Sequence, residues 1–96
     1  MESTPPELRE LRAEIDSCDD AIADAVAERV ALAEEVADVK ADRDRDLVDE
    51  EREQVVASGY ADRFRERGLD PERGEDLAEL LIAVALEHER SVDDSS

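Results

Sequence analysis

The sequence of 96 residues predicts an all-α fold of three helices, one very long and two shorter, assembled as an intertwined helical homodimer. Three observations carry this expectation. Apolar residues recur with helical period through most of the chain, no glycine or proline stands between Pro6 and Gly59, and no segment alternates with the period of two that a half-buried strand requires.

The first helix opens at Thr4-Pro5-Pro6-Glu7, with Thr4 as the cap, Glu7 as its capping-box partner and proline confined to the first positions. Numbered as heptads from Leu8, its a positions are Leu8, Ile15, Ile22, Arg29 and Val36, and its d positions are Leu11, Cys18, Ala25, Leu32 and Val39. That period lasts to about residue 41, a helix of roughly 50 Å at 1.5 Å per residue. The alternation of acids and arginines from Asp42 to Asp46 breaks it and reads as a solvated loop.

A second helix is expected over about 49–67, capped by Asp49 and burying Val55, Val56 and Tyr60, with Gly59 costing it about 1 kcal/mol relative to alanine. Gly68-Leu69-Asp70-Pro71 supplies, in order, a left-handed closing residue, a new N-cap and a proline at the first helical position. The third helix follows over about 71–90, with Leu77, Leu80, Leu81, Val84 and Ala85 on its apolar face, and residues 91–96 read as a frayed acidic tail.

One domain over residues 1–96 is the expectation at this length, with no room for a second domain that would bind a regulatory ligand. Only 2% of the residues are aromatic and 44% are charged, so the chain has little with which to fill a large core of its own. A 50 Å helix carries more apolar stripe than two short helices can cover. A second copy, with the two long helices antiparallel, covers the rest.

Thirty acidic residues against twelve basic ones give a net charge of −18. Such a balance with few aromatics is a signature of disorder, but 41% apolar residues in clear period argue for a folded chain. With Lys40 as the only lysine, the composition resembles that of halophilic proteins, for which molar salt shortens the Debye length to about 3 Å and removes self-repulsion. Phosphate-neutralising patches are missing, which excludes nucleic acid as a partner. There is no membrane span and no signal pattern at the start, so a cytoplasmic location is expected. A single cysteine, Cys18, gives neither an internal disulfide nor a metal spacing and reads as a small core hydrophobe. His88, the only histidine, reads as a partly exposed cation near a helix C-terminus, and Tyr60 with Phe64 as core or interface filler.

Arg29 is the anomaly. A guanidinium on a face that folding must bury carries a desolvation cost of several kcal/mol unless an anion meets it. Lys40 follows eleven residues later, within roughly 20° of the same direction and about 16 Å further along the axis. Both cations therefore look toward one interior.

The ordered set Leu11-Arg12, Arg29, Lys40, Leu47-Val48-Asp49, Arg52-Glu53 and Gly68-Leu69-Asp70-Pro71, with a last apolar helix, resembles the all-helical class of chorismate mutases over about residues 8–90. The resemblance implies a stand-alone enzyme that rearranges chorismate to prephenate in phenylalanine and tyrosine biosynthesis, with no cofactor and no metal. It further implies that Arg29, together with Arg12 reaching in from the other subunit, clamps the two substrate carboxylates. Lys40 would contact a carboxylate and the ether oxygen of the breaking bond, Glu53 would accept the ring hydroxyl with Asp49 beside it, and Arg52 would orient the others. Arg12 points about 100° away from Arg29 on the helix, which suits a neighbour's pocket better than its own.

Two positions depart from the family pattern. Ala85 stands where the family carries a small hydroxyl residue, and Glu89 stands where it usually carries a glutamine that donates to the ether oxygen. A carboxyl group can donate there only when protonated, so activity is expected to fall as pH rises through the ionisation of Glu89. The rearrangement is pericyclic, and what a protein supplies is a compact substrate conformation and donors aimed at the oxygen that becomes negative. Two other readings stay open on the sequence: pyruvate elimination from isochorismate on the same scaffold, and a non-catalytic acidic helical interaction module in which Arg29 meets a partner's glutamate.

Overall fold

A computed structural model describes residues 5–42 and 50–94, and the described residues form three helices: α1 over Pro6–Asp42, α2 over Glu50–Glu66 and α3 over Pro71–Asp94. At 37 residues α1 is about 55 Å long. Pro6 is its first helical residue, and the carbonyl of Pro5 accepts from the amides of Leu8 and Arg9, both at 3.1 Å. Pro5 thus occupies the cap position that the capping-box pattern assigns to Thr4, and Thr4 lies outside the described residues, as does the expected cap of α2, Asp49.

The turn between α2 and α3 is fully specified by its sequence. Gly68 has a φ of 75°, the left-handed conformation that glycine adopts without a Cβ penalty. The Leu69 amide donates to the Phe64 carbonyl at 2.8 Å and the Gly68 amide to that of Arg65 at 3.1 Å, the two bonds of a Schellman closure. Asp70 then caps α3, its Oδ1 accepting from the Glu72 amide at 2.9 Å. One turn into α3, Gly74 lets the helices meet, since a Cβ built there would lie 2.5 Å from the Tyr60 carbonyl oxygen.

α3 is the hub. α2 packs along it as the second arm of a hairpin, α1 packs on it at another face, and among the described residues α1 and α2 do not pack on each other. Among the described residues the buried core consists of small residues and one leucine: Ala61, Ala78, Leu81 and Ala85, with Gly74 at the α2–α3 contact. Several residues expected inside face outward. Val55 on α2 is exposed. Leu80 is 60% exposed because α3 is apolar around nearly its whole circumference from Leu77 to Leu86, while only two helices cover it among the described residues. Cys18 is exposed, along with almost the whole α1 seam: Leu8, Leu11, Ile15, Ile22, Leu32, Val36 and Val39.

α3 also runs on to Asp94, through residues expected as a frayed tail from Ser91. No glycine or proline follows Arg90 to stop it. The protomer measures 63 × 34 × 17 Å, with a radius of gyration of 17.8 Å. A compact chain of this length would have about 12.5 Å, and the excess is the far half of α1, which projects beyond the other two helices.

Candidate active site

Where α1, α2 and α3 come together, they enclose a cleft of about 300 Å³, at the small end of the range for ligand sites. α1 contributes one ridge at helical spacing: Arg29, Leu32, Ala33, Val36, Ala37 and Lys40. Arg29 and Lys40 sit at its two ends with the apolar residues between them, as their separation of eleven residues requires. α2 contributes Arg52, Glu53 and Val56, and α3 contributes Ile82, Ala85, Leu86 and Glu89. Six of the eight residues singled out from the sequence therefore line one cavity: Arg29, Lys40, Arg52, Glu53, Ala85 and Glu89.

The other two are placed differently. Arg12 is exposed on α1, 17 residues before Arg29 and hence about 26 Å away along the axis, so it cannot reach the cleft of its own chain. Asp49 lies outside the described residues.

Among the described residues the lining is mostly apolar, with three cations and two acids. In a chain of net charge −18, this is a local reversal of sign. Among the described residues, Arg29 and Lys40 make no ion pair with a protein carboxylate. Arg29, Lys40, Glu53 and Glu89 are each partly buried, which leaves them able to meet a ligand while weakening the screening by water. Ala85 is 6% exposed and floors the cleft. The cleft is unwalled where Leu32 and Val36 remain more than half exposed.

The apolar lining residues Ala33, Ala37, Val56, Ile82 and Leu86 were not distinguished by the sequence reading. A signal existed for two of them, since Ala33 and Ala37 follow Arg29 at intervals of four and share its ridge. For Val56, Ile82 and Leu86 nothing in the local pattern separates cleft lining from helix packing.

The profile of the chorismate mutase type II family matches residues 11–90. The chain belongs to that family. It is therefore an isomerase, and its substrate is chorismate, which it rearranges to prephenate in aromatic amino acid biosynthesis. Neither the pyruvate-elimination reading nor the non-catalytic reading is favoured by the match. No curated protein and no solved structure matches the chain. Among the described residues, no helix is long and apolar enough to cross a membrane.

Proposed function

We propose that the cleft beneath Arg29 and Lys40 is the place where the rearrangement occurs, and that it is completed by Arg12 of a second copy. The observation that carries this reading is the convergence of Arg29, Lys40, Arg52, Glu53, Ala85 and Glu89 from three helices on one cavity. Chorismate brings two carboxylates. Among the described residues the cleft offers three cations against two acids, and a further arginine adds to a local excess of positive charge that suits a dianion.

In this reading Arg29 and the partner subunit's Arg12 hold the two carboxylates and fold the enolpyruvyl arm over the ring, the geometry in which the new carbon–carbon bond can form. Bidentate guanidinium contacts fix both position and orientation. Lys40 and Glu89 stand on facing helices and donate to the ether oxygen as the carbon–oxygen bond stretches and negative charge gathers on that oxygen. Glu53 accepts from the ring hydroxyl, Asp49 adjoins it, and Arg52 orients the group. No proton need be transferred. Even a millionfold acceleration asks for roughly 8 kcal/mol of stabilisation confined to the transition state, within the reach of several charge-assisted bonds in a water-poor cleft.

The single 96-residue domain works as a homodimer in this proposal. Leu8, Leu11, Ile15, Ile22, Leu32, Val36 and Val39 form an apolar stripe, interrupted at Arg29, that one protomer leaves in water, and extended exposed apolar patches mark interaction surfaces. Laid antiparallel along a second α1, the stripe is buried, and each Arg12 is carried toward the other protomer's Arg29. A cytoplasmic, salt-adapted enzyme accounts for the charge of −18 and for arginine in place of lysine.

The test is direct. Purified protein in molar salt, mixed with chorismate, should consume it and yield prephenate as the only product. With isochorismate it should release no pyruvate at a comparable rate. Pyruvate release matching or exceeding prephenate formation would move the activity to elimination.

A further inference from the structure

The ion pairs Arg65–Asp62 and Arg73–Asp76 each lie within a single helix and are largely exposed, the kind that contributes little. His88 and Glu34 are different, because they join α3 to α1: His88 Nε2 is in contact with Glu34 Oε1. The sequence reading of His88 as a helix-terminal cation does not describe this, since α3 continues six residues beyond it and its imidazole reaches across to another helix.

We propose that His88 is a positioning residue for the rearrangement, its bond to Glu34 setting the separation of α1 and α3 across which Arg29 and Lys40 face Glu89. The inference rests on the site proposed above. Glu34 comes five residues after Arg29 and six before Lys40, so it points 120° to 140° away from the ridge that lines the cleft. The bond therefore sits behind the site, in a second groove between α1 and α3 lined by Ala27, Val30, Ala31 and Val84. Alanines and valines line that groove, so the His88–Glu34 contact is its polar tie between the two helices. Among the described residues of one chain, α1 packs on α3 alone.

His88 immediately precedes Glu89 in the chain, so a shift of the one displaces the other. Nε2 can donate to the carboxylate whether the ring is charged or neutral, provided the neutral tautomer carries its proton there. The tie therefore does not depend on full protonation of His88. Both side chains are 39% to 46% exposed, and half-exposed pairs contribute little to folding stability, so positioning and stability separate in an experiment.

In the dimeric enzyme, His88→Ala and Glu34→Ala should each lower kcat about tenfold, a fraction of the roughly hundredfold that a 1 Å misplacement can cost, with KM changed less than twofold and Tm nearly constant. The double variant should be no slower than either single one. Exchange of the pair, Glu34→His with His88→Glu, should recover most of the lost kcat. In a Glu89→Ala background, His88→Ala should cost nothing further, because the group it positions has gone. If His88→Ala dissociates the dimer, His88→Gln, which keeps a donor, is judged by the same criteria. An unchanged kcat in His88→Ala, or a full additional tenfold loss in the Glu89→Ala background, overturns the inference. A Glu89→Ala variant as fast as the parent would instead overturn the site assignment on which it rests.

Discussion

At the scale of single residues, the site is read from charges placed where folding alone would not put them. Arg29 interrupts an apolar seam, and in the fold it lines a cleft without a carboxylate partner among the described residues. Arg29→Ala should lower kcat/KM by at least a hundredfold, the usual cost of removing one preorganised donor, while sedimentation still shows the dimer. Glu89 makes a prediction with a sign. In the proposed role its carboxyl group can donate to the ether oxygen only in the protonated form, so the rate should be highest below its ionisation and decline as pH rises through it. Glu89→Gln, a donor at every pH, should flatten that limb of the kcat profile, and an unchanged profile would remove Glu89 from the donor role. Ala85→Ser returns a hydroxyl to the cleft floor. If a carboxylate oxygen lies within reach, KM for chorismate should fall severalfold, in keeping with about 1 kcal/mol for one hydrogen bond.

At the scale of elements, legibility followed from how local each determinant is. The three helices and the α2–α3 turn could be read because proline, glycine and helical period are local signals, and Gly68 with Asp70 spells out the closure and the next cap within three residues. Gly68→Val should lower stability by about 1–2 kcal/mol through the left-handed φ alone, read as a fall in Tm. Gly74→Ala should cost a similar 1–3 kcal/mol by overpacking, because the added methyl meets the Tyr60 carbonyl. No local pattern marks Gly74 in this way, since its constraint comes from another helix. The same is true of Leu80: periodicity says that a helix has an apolar face, but only the packing of α3 between two neighbours decides which part of its circumference stays uncovered. His88 was misread for this reason too, as its partner is 54 residues away in the chain.

At the scale of the whole molecule, the charge of −18 and the exposed α1 seam pull in opposite directions. The proposed dimer buries the seam but brings two strongly acidic chains together, at a cost that dilute salt leaves unscreened. Raising salt from dilute to molar should therefore raise Tm, tighten the dimer and lower the apparent KM for a dianionic substrate. A Tm and KM indifferent to salt would remove the salt-adapted reading. Six of the eight candidate residues line one cleft of a single chain, and Arg12 does not. Arg29 and Lys40 share a ridge on one helix, whereas Arg12 stands about 26 Å from Arg29 along α1, and its role needs a second copy. Mixing two inactive variants tests that arrangement most directly. Arg12→Ala and Arg29→Ala chains, unfolded together in equal amounts and refolded, should recover about a quarter of the parent activity, because half the dimers are mixed and each mixed dimer restores one complete site. If the mixture stays as inactive as either variant alone, although mixed dimers have formed, Arg12 does not serve the neighbouring subunit's cleft and the shared site is wrong.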